Sequence, residues 1–155
     1  MAVARQSAVV PLSAERAFAL WTDLRRWPSF IDGFGRLDRA DDSWPQPGAK
    51  IVWVSTPGGR GRVTERVEAH EPPDERPGRV ATQVLEEALT GIQTVDVEGL
   101  SDEETKVVIS LDYELARGGP LRKLADLLFI RRAQNDSLGR TLRRFALEAS
   151  EESAL

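Results

Sequence analysis

One long segment near the C-terminus constrains the fold of this chain more than any other. Residues Gly118 to Ser150 predict a single helix, because apolar side chains recur there with the period of about 3.6 residues that marks one helix face. This apolar stripe consists of Leu124, Leu127, Leu128, Leu138, Leu142 and Phe145. Arg131 and Asn135 fall on the same stripe, and a guanidinium or an amide is costly to bury without partners. The polar break therefore predicts a wet cavity beside the helix.

Length, charge and cysteine content narrow the class of protein. A chain of 155 residues, 41% of them hydrophobic, fits one domain, which we place at residues 1–150 with 151–155 as a C-terminal tail. The net charge of −4 argues against a nucleic-acid binder. Without cysteine the chain has neither disulfides nor a thiolate nucleophile. It shows no signal segment and no apolar run that could span a bilayer, which predicts a cytoplasmic protein without integral membrane association.

Upstream of the long helix the sequence predicts a strand, two short helical segments and then six more strands. Ser13 is a good N-cap for the first short helix, and Trp27-Pro28 separates it from a second helical turn. Turn residues separate segments of period-two alternation, which is typical of an antiparallel meander. The predicted strands are Val3–Val10, Gly35–Asp41, Ala49–Ser55, Gly61–His70, Arg79–Glu87, Ile92–Glu98 and Thr105–Leu115.

The last predicted strand shows the clearest alternation. Its apolar side chains share one face, and its charged and hydroxyl side chains share the other, so the sheet has one covered face and one wet face. The apolar set is Val107, Ile109, Leu111, Tyr113 and Leu115. Only the C-terminal helix has an apolar stripe long enough to cover such a sheet, which predicts an α+β fold.

Two local motifs are similar to a known superfamily. Residues Val10 to Phe18 (VPLSAERAF) and Trp21 to Phe30 (WTDLRRWPSF) resemble the opening of the START-like, or SRPBCC, superfamily, especially its polyketide cyclase/dehydrase branch. Further matching positions are Gly48, Val67, Ser137, Leu138 and Leu142. The resemblance implies a helix-grip fold, in which a curved antiparallel sheet of about seven strands wraps around the C-terminal helix with a deep pocket between them. It leaves the activity open, since the superfamily includes lipid carriers, ubiquinone-binding proteins, aromatases, cyclases and stress-response proteins.

Glu65 provides a second polar break. Alternation in the fourth strand places it on the apolar side with Val63 and Val67, provided that no β-bulge precedes it. A Glu65–Arg131 pair would either hold the helix to the sheet or address the oxygen atoms of a ligand. Both interpretations stay open from the sequence.

The predicted pocket combines these polar groups with apolar neighbours. Trp53 offers a flat wall for an aromatic or isoprenoid ligand, or else fills the core, and Tyr113 adds a phenol. The full set is Glu65, Arg131, Asn135, Tyr113, Trp53, Val63, Val67, Leu111, Leu124 and Leu128. The resemblance implies a pocket mouth near Trp27, Phe30 and Phe34.

Motifs for metal, nucleotide and acyl-enzyme chemistry do not emerge from the sequence. His70 is the single histidine, so we expect no metal site. The run Pro57-Gly58-Gly59-Arg60-Gly61 lacks the lysine and the strand-to-helix context of a phosphate loop, and no Gly-x-Ser-x-Gly occurs. We therefore expect no cofactor and no covalent intermediate, and leave the catalytic residues unassigned.

Three functions remain. The first is a protein, monomeric or homodimeric, that binds a small hydrophobic molecule of polyketide, isoprenoid or lipid type in the pocket. The second is an aromatase- or cyclase-type enzyme, with Glu65 or Tyr113 as acid or base and Arg131 at an enolate oxygen. The third is an interaction protein that uses the basic face of the C-terminal helix. That face comprises Arg122, Arg132, Arg140 and Arg143.

Overall fold

The computed structural model describes residues 2–115 and 123–155, with the side chains of 123–127 outside the description. It confirms the predicted order of a strand, short helices, six strands and one long helix. The elements are β1 (Ala2–Val10), α1 (Ala14–Thr22), a 3₁₀ turn (Leu24–Arg26), α2 (Trp27–Phe30), β2 (Phe34–Ala40), β3 (Lys50–Ser55), β4 (Arg62–Glu71), β5 (Gly78–Leu85), β6 (Leu89–Gly99), β7 (Thr105–Leu115) and α3 (Lys123–Ser153). The predicted helical residues 118–122 lie outside the described residues.

The seven strands form one antiparallel sheet in the order β1-β7-β6-β5-β4-β3-β2. The meander runs from β2 to β7, and the first strand then pairs with the last, which leaves β1 and β2 as the two edges. The register between β3 and β4 is regular through Ile51 and Glu65, and the bulge in β4 comes later, between Val67 and Ala69. Together with α3 this is the α+β helix-grip fold that the sequence predicted.

The core lies between the inner face of the sheet, the short helices and the C-terminal half of α3. Four apolar side chains on that half of α3 are buried, namely Leu138, Leu142, Phe145 and Ala149. The ring of Phe145 packs edge-on against Trp21 and Phe30, with centroids 5.3 and 5.0 Å apart. This half of the helix is therefore locked into an aromatic cluster.

The N-terminal half of α3 departs from the predicted stripe. Leu128 is 70% exposed and Arg131 is also exposed, so neither is buried against the sheet as expected. Asn135 is half-buried, and its Oδ1 accepts a hydrogen bond of 3.0 Å from the backbone N–H of Arg5. The physical reason is that this half of α3 runs along the edge strand β1, whose backbone needs partners. The side chains of Leu124 and Leu127 lie outside the described residues.

The half-buried carboxylate of Asp32 connects α3 to the loop after α2. Asp32 accepts hydrogen bonds from Ser137 (2.9 Å), Arg140 (3.1 Å) and Arg144 (3.1 Å), and its backbone N–H donates to Thr141. Partial burial raises the pKa of Asp32, but the hydrogen bonds from Arg140 and Ser137 outweigh it, so the pKa lies below its ordinary value. Arg140, predicted as part of a basic docking face, is thus engaged within the molecule.

The end of α3 also belongs to the folded unit. The helix continues to Ser153, and Glu152 is bound by Arg26 through its carboxylate (3.1 Å) and by Arg16 through its carbonyl (2.9 Å). The predicted tail boundary after residue 150 therefore falls inside the helix. None of the helices described for this chain combines the length and the apolar character needed to cross a membrane.

We expect Asp32→Ala to lower the free energy of unfolding by about 2 kcal/mol, because it removes two charge-assisted contacts and leaves Ser137 without its acceptor. Asp38→Ala is the matched control, since the Asp38–Arg62 pair (2.9 Å) is mostly exposed and should contribute below about 1 kcal/mol. Urea unfolding of both variants measures the difference. Equal losses would contradict a special role for Asp32.

Candidate functional site

A phenol and a carboxyl group share one row across the inner face of the sheet. The backbone register aligns Tyr113 with Gly91, Gly91 with Val84, and Val84 with Glu65. Neighbouring strands lie about 4.8 Å apart, so the backbones of Tyr113 and Glu65 are roughly 14 Å apart across three strand spacings. Tyr113 is 1% exposed and Glu65 is 4% exposed. Both polar groups therefore face the interior beneath α3.

Gly91 is required at its place in this row. A Cβ atom there would lie 2.4 Å from the carbonyl oxygen of Asp112 and 2.9 Å from Cβ of Tyr113. No side chain can be accommodated at such distances without a shift of the neighbouring strand. The absent side chain makes room for Tyr113, whose hydroxyl is buried and has no hydrogen-bond partner among the described residues.

Glu65 is held by two donors. The indole N–H of Trp53 donates to one carboxyl oxygen (2.8 Å) and the hydroxyl of Thr82 donates to the other (2.9 Å). Burial raises the pKa of Glu65 more than these bonds and the charge of Arg60 lower it, so the neutral acid is favoured. Both bonds use the carboxyl group as acceptor. The hydroxyl of the neutral form therefore still needs an acceptor of its own.

The guanidinium beside Glu65 belongs to Arg60, and the predicted Glu65–Arg131 ion pair is wrong. Arg60 lies in the turn between β3 and β4, where its Nε is 2.5 Å from Oε2 of the buried Glu86. Arg131 sits at the other end of the row, where its charge lowers the pKa of Tyr113 while burial raises it to a greater extent. The α3 residues that line the cavity at Glu65 are Gln134, Ser137, Leu138 and Thr141, whereas Arg131 is exposed to solvent.

The ring of Trp53 is covered by other side chains of the protein. Phe34 stacks on its indole with centroids 5.2 Å apart, and the guanidinium carbon of Arg60 lies 5.1 Å from the centroid of the same ring system. Protein groups thus cover the surface that the sequence offered as a ligand contact, and Trp53 is fully buried.

The three residues expected at the pocket mouth lie in the core. Trp27 is 1%, Phe30 0% and Phe34 9% exposed. Trp27 packs edge-on against Phe34 and Trp44 and donates its indole N–H to the carbonyl of Trp21 at 2.7 Å. Edge-to-face packing of these rings closes this side of the molecule, so these three residues form no opening there.

Six of the predicted pocket residues line two spaces, and Tyr113 lines neither of them. A closed cavity of about 20 Å³ is lined in part by Glu65, Trp53 and Leu111, and it holds roughly one water molecule. An open groove of about 490 Å³ lies beside α3. We name it the α3 groove, and it is lined by Leu128, Phe129, Arg131, Arg132 and Asn135. Val63 and Val67 are buried on β4 on either side of Glu65, and the side chain of Leu124 lies outside the described residues.

Several polar residues at or near the small cavity escaped the sequence analysis. Thr82 on β5 and Glu86 directly after it continue the inward alternation of Val80 and Val84, so strand periodicity could have identified them. Arg60 carries no such signal, because it stands in an irregular turn. Gln93 and Gln134 also line the cavity. From the sequence alone, each of these amides would be assigned to the solvent-exposed surface.

Comparison with known proteins is consistent with this architecture. The family model described as "Polyketide cyclase / dehydrase and lipid transport" matches residues 1–150. The Zhui aromatase/cyclase from Streptomyces shares 13% identity with a TM-score of 0.74, over 98% of this chain and 95% of that one. A norcoclaurine synthase mutant from Thalictrum flavum shares 13% identity with a TM-score of 0.72, over 98% and 96%.

A protein from Thermus thermophilus shares 17% identity with a TM-score of 0.74, over 98% of this chain and 99% of that one. No curated protein sequence matches this chain. At such low identity the likeness to solved structures establishes the fold alone.

We expect Glu65→Gln to change how stability depends on pH. Because burial raises the pKa of folded Glu65 above its ordinary value of 4.5, the folded state holds this proton more tightly than the unfolded chain. The carboxyl group therefore destabilises the wild type progressively as pH rises from the unfolded pKa through the raised folded pKa. The free energy of unfolding of the wild type, measured in urea, should thus fall relative to that of Glu65→Gln as the pH rises above 4.5, the ordinary pKa of the group.

Glu103→Gln is the control for this measurement, since it removes a carboxyl group at an exposed position. Parallel pH curves for the wild type and Glu65→Gln would show that Glu65 is not held as a neutral acid.

Proposed function

Because the chain belongs to the polyketide cyclase/dehydrase and lipid transport family, we propose that it binds a small hydrophobic molecule between the sheet and α3. The ligand is polyketide-, isoprenoid- or lipid-like. One observation carries this proposal: the inner row of the sheet presents two buried polar groups, Tyr113 and Glu65, that both retain hydrogen-bonding capacity.

The polar and apolar side chains of this row indicate which kind of ligand would bind there. An unpartnered buried hydroxyl costs about 1–3 kcal/mol, and a ligand oxygen that accepts from Tyr113 would recover that energy. The hydroxyl of neutral Glu65 offers a second donor deeper in the molecule. Apolar side chains such as Ile109, Leu111 and Val84 surround these two points. A mostly apolar molecule with a few oxygen atoms matches that lining.

Access to the row is easiest from the side of the α3 groove. The closed cavity at Glu65 is far below the roughly 300 Å³ of ordinary ligand pockets, so the interior must open for binding. The C-terminal half of α3 is locked by Phe145 and Asp32, whereas Leu128 and Phe129 on its N-terminal half are exposed. In this proposal the N-terminal half moves away from the sheet while the aromatic cluster stays intact.

Catalysis by Glu65 is the second candidate. A carboxyl group kept neutral by burial can deliver a proton to a carbonyl or hydroxyl oxygen, which is the acid step that a cyclase or dehydrase needs. Once a ligand is known, incubation with the wild type and with Glu65→Gln decides this point. A change in the mass of the ligand with the wild type alone would identify an enzyme, and an unchanged mass with both would leave binding as the function.

Native mass spectrometry of the freshly purified protein tests the proposed function. We expect a hydrophobic adduct on the wild type and on the exposed-site control Glu103→Gln, and its loss or strong reduction in Tyr113→Phe and Glu65→Met. The reason is that each of these two variants removes one hydrogen bond to the ligand, worth roughly a tenfold change in affinity. Circular dichroism establishes that the variants are folded.

A wild type that carries no adduct is then titrated with decanol, geraniol and naphthol, followed by tryptophan fluorescence. Failure to bind any of the three would overturn the proposal. Equal adducts in the wild type and both site variants would show that the ligand lies elsewhere than on this row.

A further inference from the structure

The α3 groove combines apolar and cationic side chains at the surface. Leu128 and Phe129 are 70% and 74% exposed, which is unusual for two adjacent large apolar residues on a helix. Arg131 and Arg132 follow directly and are exposed as well. The groove is open to solvent and has a volume of about 490 Å³.

The backbone register places this groove next to Tyr113. The side chain of Asn135 bonds the N–H of Arg5, and Gly139, one turn further along α3, faces the side chain of Gln6. Arg131 lies one turn before Asn135 and therefore over the start of β1. There Ala2 pairs with Tyr113 on β7. The unpartnered phenol and the exposed guanidinium thus lie at the same end of the sheet.

The arginines at this end differ from Arg140 and Arg144 further along α3. Arg140 and Arg144 are paired with Asp32, whereas no carboxylate lies within 4.0 Å of Arg131 or Arg132 among the side chains that the structure describes. An arginine that is not committed to a protein carboxylate can bind an anionic oxygen with two parallel hydrogen bonds. The apolar pair beside it suits a hydrocarbon chain.

We propose that the α3 groove selects ligands with an anionic head, a carboxylate or a phosphate, whose hydrocarbon chain continues towards the inner row of the sheet. The head group lies against Arg131 and Arg132 and accepts the hydrogen bond that Tyr113 leaves unused. This inference rests on the proposed function and narrows its ligand to an anionic amphiphile.

The test compares monomeric ligands that differ only in the head. Decanoate, decyl phosphate and decanol are titrated below their aggregation limits, followed by tryptophan fluorescence or calorimetry. We expect decanoate and decyl phosphate to bind about tenfold or more tightly than decanol, since charge-assisted hydrogen bonds exceed neutral ones. We also expect salt to weaken the binding of the two anions and to leave decanol unchanged, because the two arginines are exposed.

Matched arginine variants locate the effect. Arg131→Gln and Arg132→Gln should each remove most of the preference for decanoate without changing decanol binding. Arg143→Gln, an exposed arginine on the same helix outside the groove, should leave both affinities unchanged. A preference for decanoate that survives both groove variants would overturn the inference.

The outcomes separate this inference from the proposed function. Equal affinity for decanoate and decanol would overturn the preference for an anionic head group. The proposal that the protein binds hydrophobic molecules would be unaffected. Binding of none of the three overturns both. Association with vesicles of phosphatidylglycerol and phosphatidylcholine, without any preference for monomeric anions, overturns the inference and assigns the arginines to a membrane surface.

Discussion

The requirement to cover one apolar face of a seven-stranded sheet organises the whole molecule. Among the described elements, only α3 is long enough for this task. It contacts the edge strand β1 through Asn135 and faces the interior of the sheet through Ser137, Leu138 and Thr141. From that placement follow the hydrogen bond between Asn135 and the backbone of Arg5 and the exposure of Arg131. The helix closes the interior tightly at one end and loosely at the other. The proposed binding site lies near the loose end.

The charged groups in the interior balance one another. Arg60 and Glu86 form a neutral pair, so the buried Glu65 has no cation of its own and is favoured as the neutral acid. Loss of either member of the pair would leave an uncompensated charge next to that carboxyl group. The turn between β3 and β4 therefore influences the protonation of Glu65, although it lies outside every regular element.

The sequence predicted the fold well because its signals were local and periodic. Alternation placed Tyr113 and Glu65 on the inner face, and the prediction for Glu65 depended on the absence of a bulge before it, which the regular β3–β4 register provides. The same periodicity failed for Arg131, because the phase of a helix specifies a face and does not specify which strand that face meets. Only the pairing of β1 with β7 decides that question.

The aromatic residues show a different limit of sequence analysis. Trp27, Phe30 and Phe34 were placed at a pocket mouth by resemblance, yet contacts between their rings and those of Trp44 and Phe145 fill this region. Such contacts join residues far apart in the chain and leave no periodic signature. Arg60 was missed for a related reason, since the conformation of a glycine-containing turn determines where its side chain lies.

Because α3 is anchored through its C-terminal half, a rotation there displaces its N-terminal half. Ser137 is held by Asp32, and Leu128 lies nine residues before it, a distance of about 14 Å at a rise of roughly 1.5 Å per residue. A tilt of about 15° around Ser137 would therefore move Leu128 by roughly 4 Å, which is close to the thickness of a hydrocarbon chain. Such a rotation around the contact between Ser137 and Asp32 would open the space that the proposed ligand needs, while the aromatic cluster at Phe145 keeps its packing.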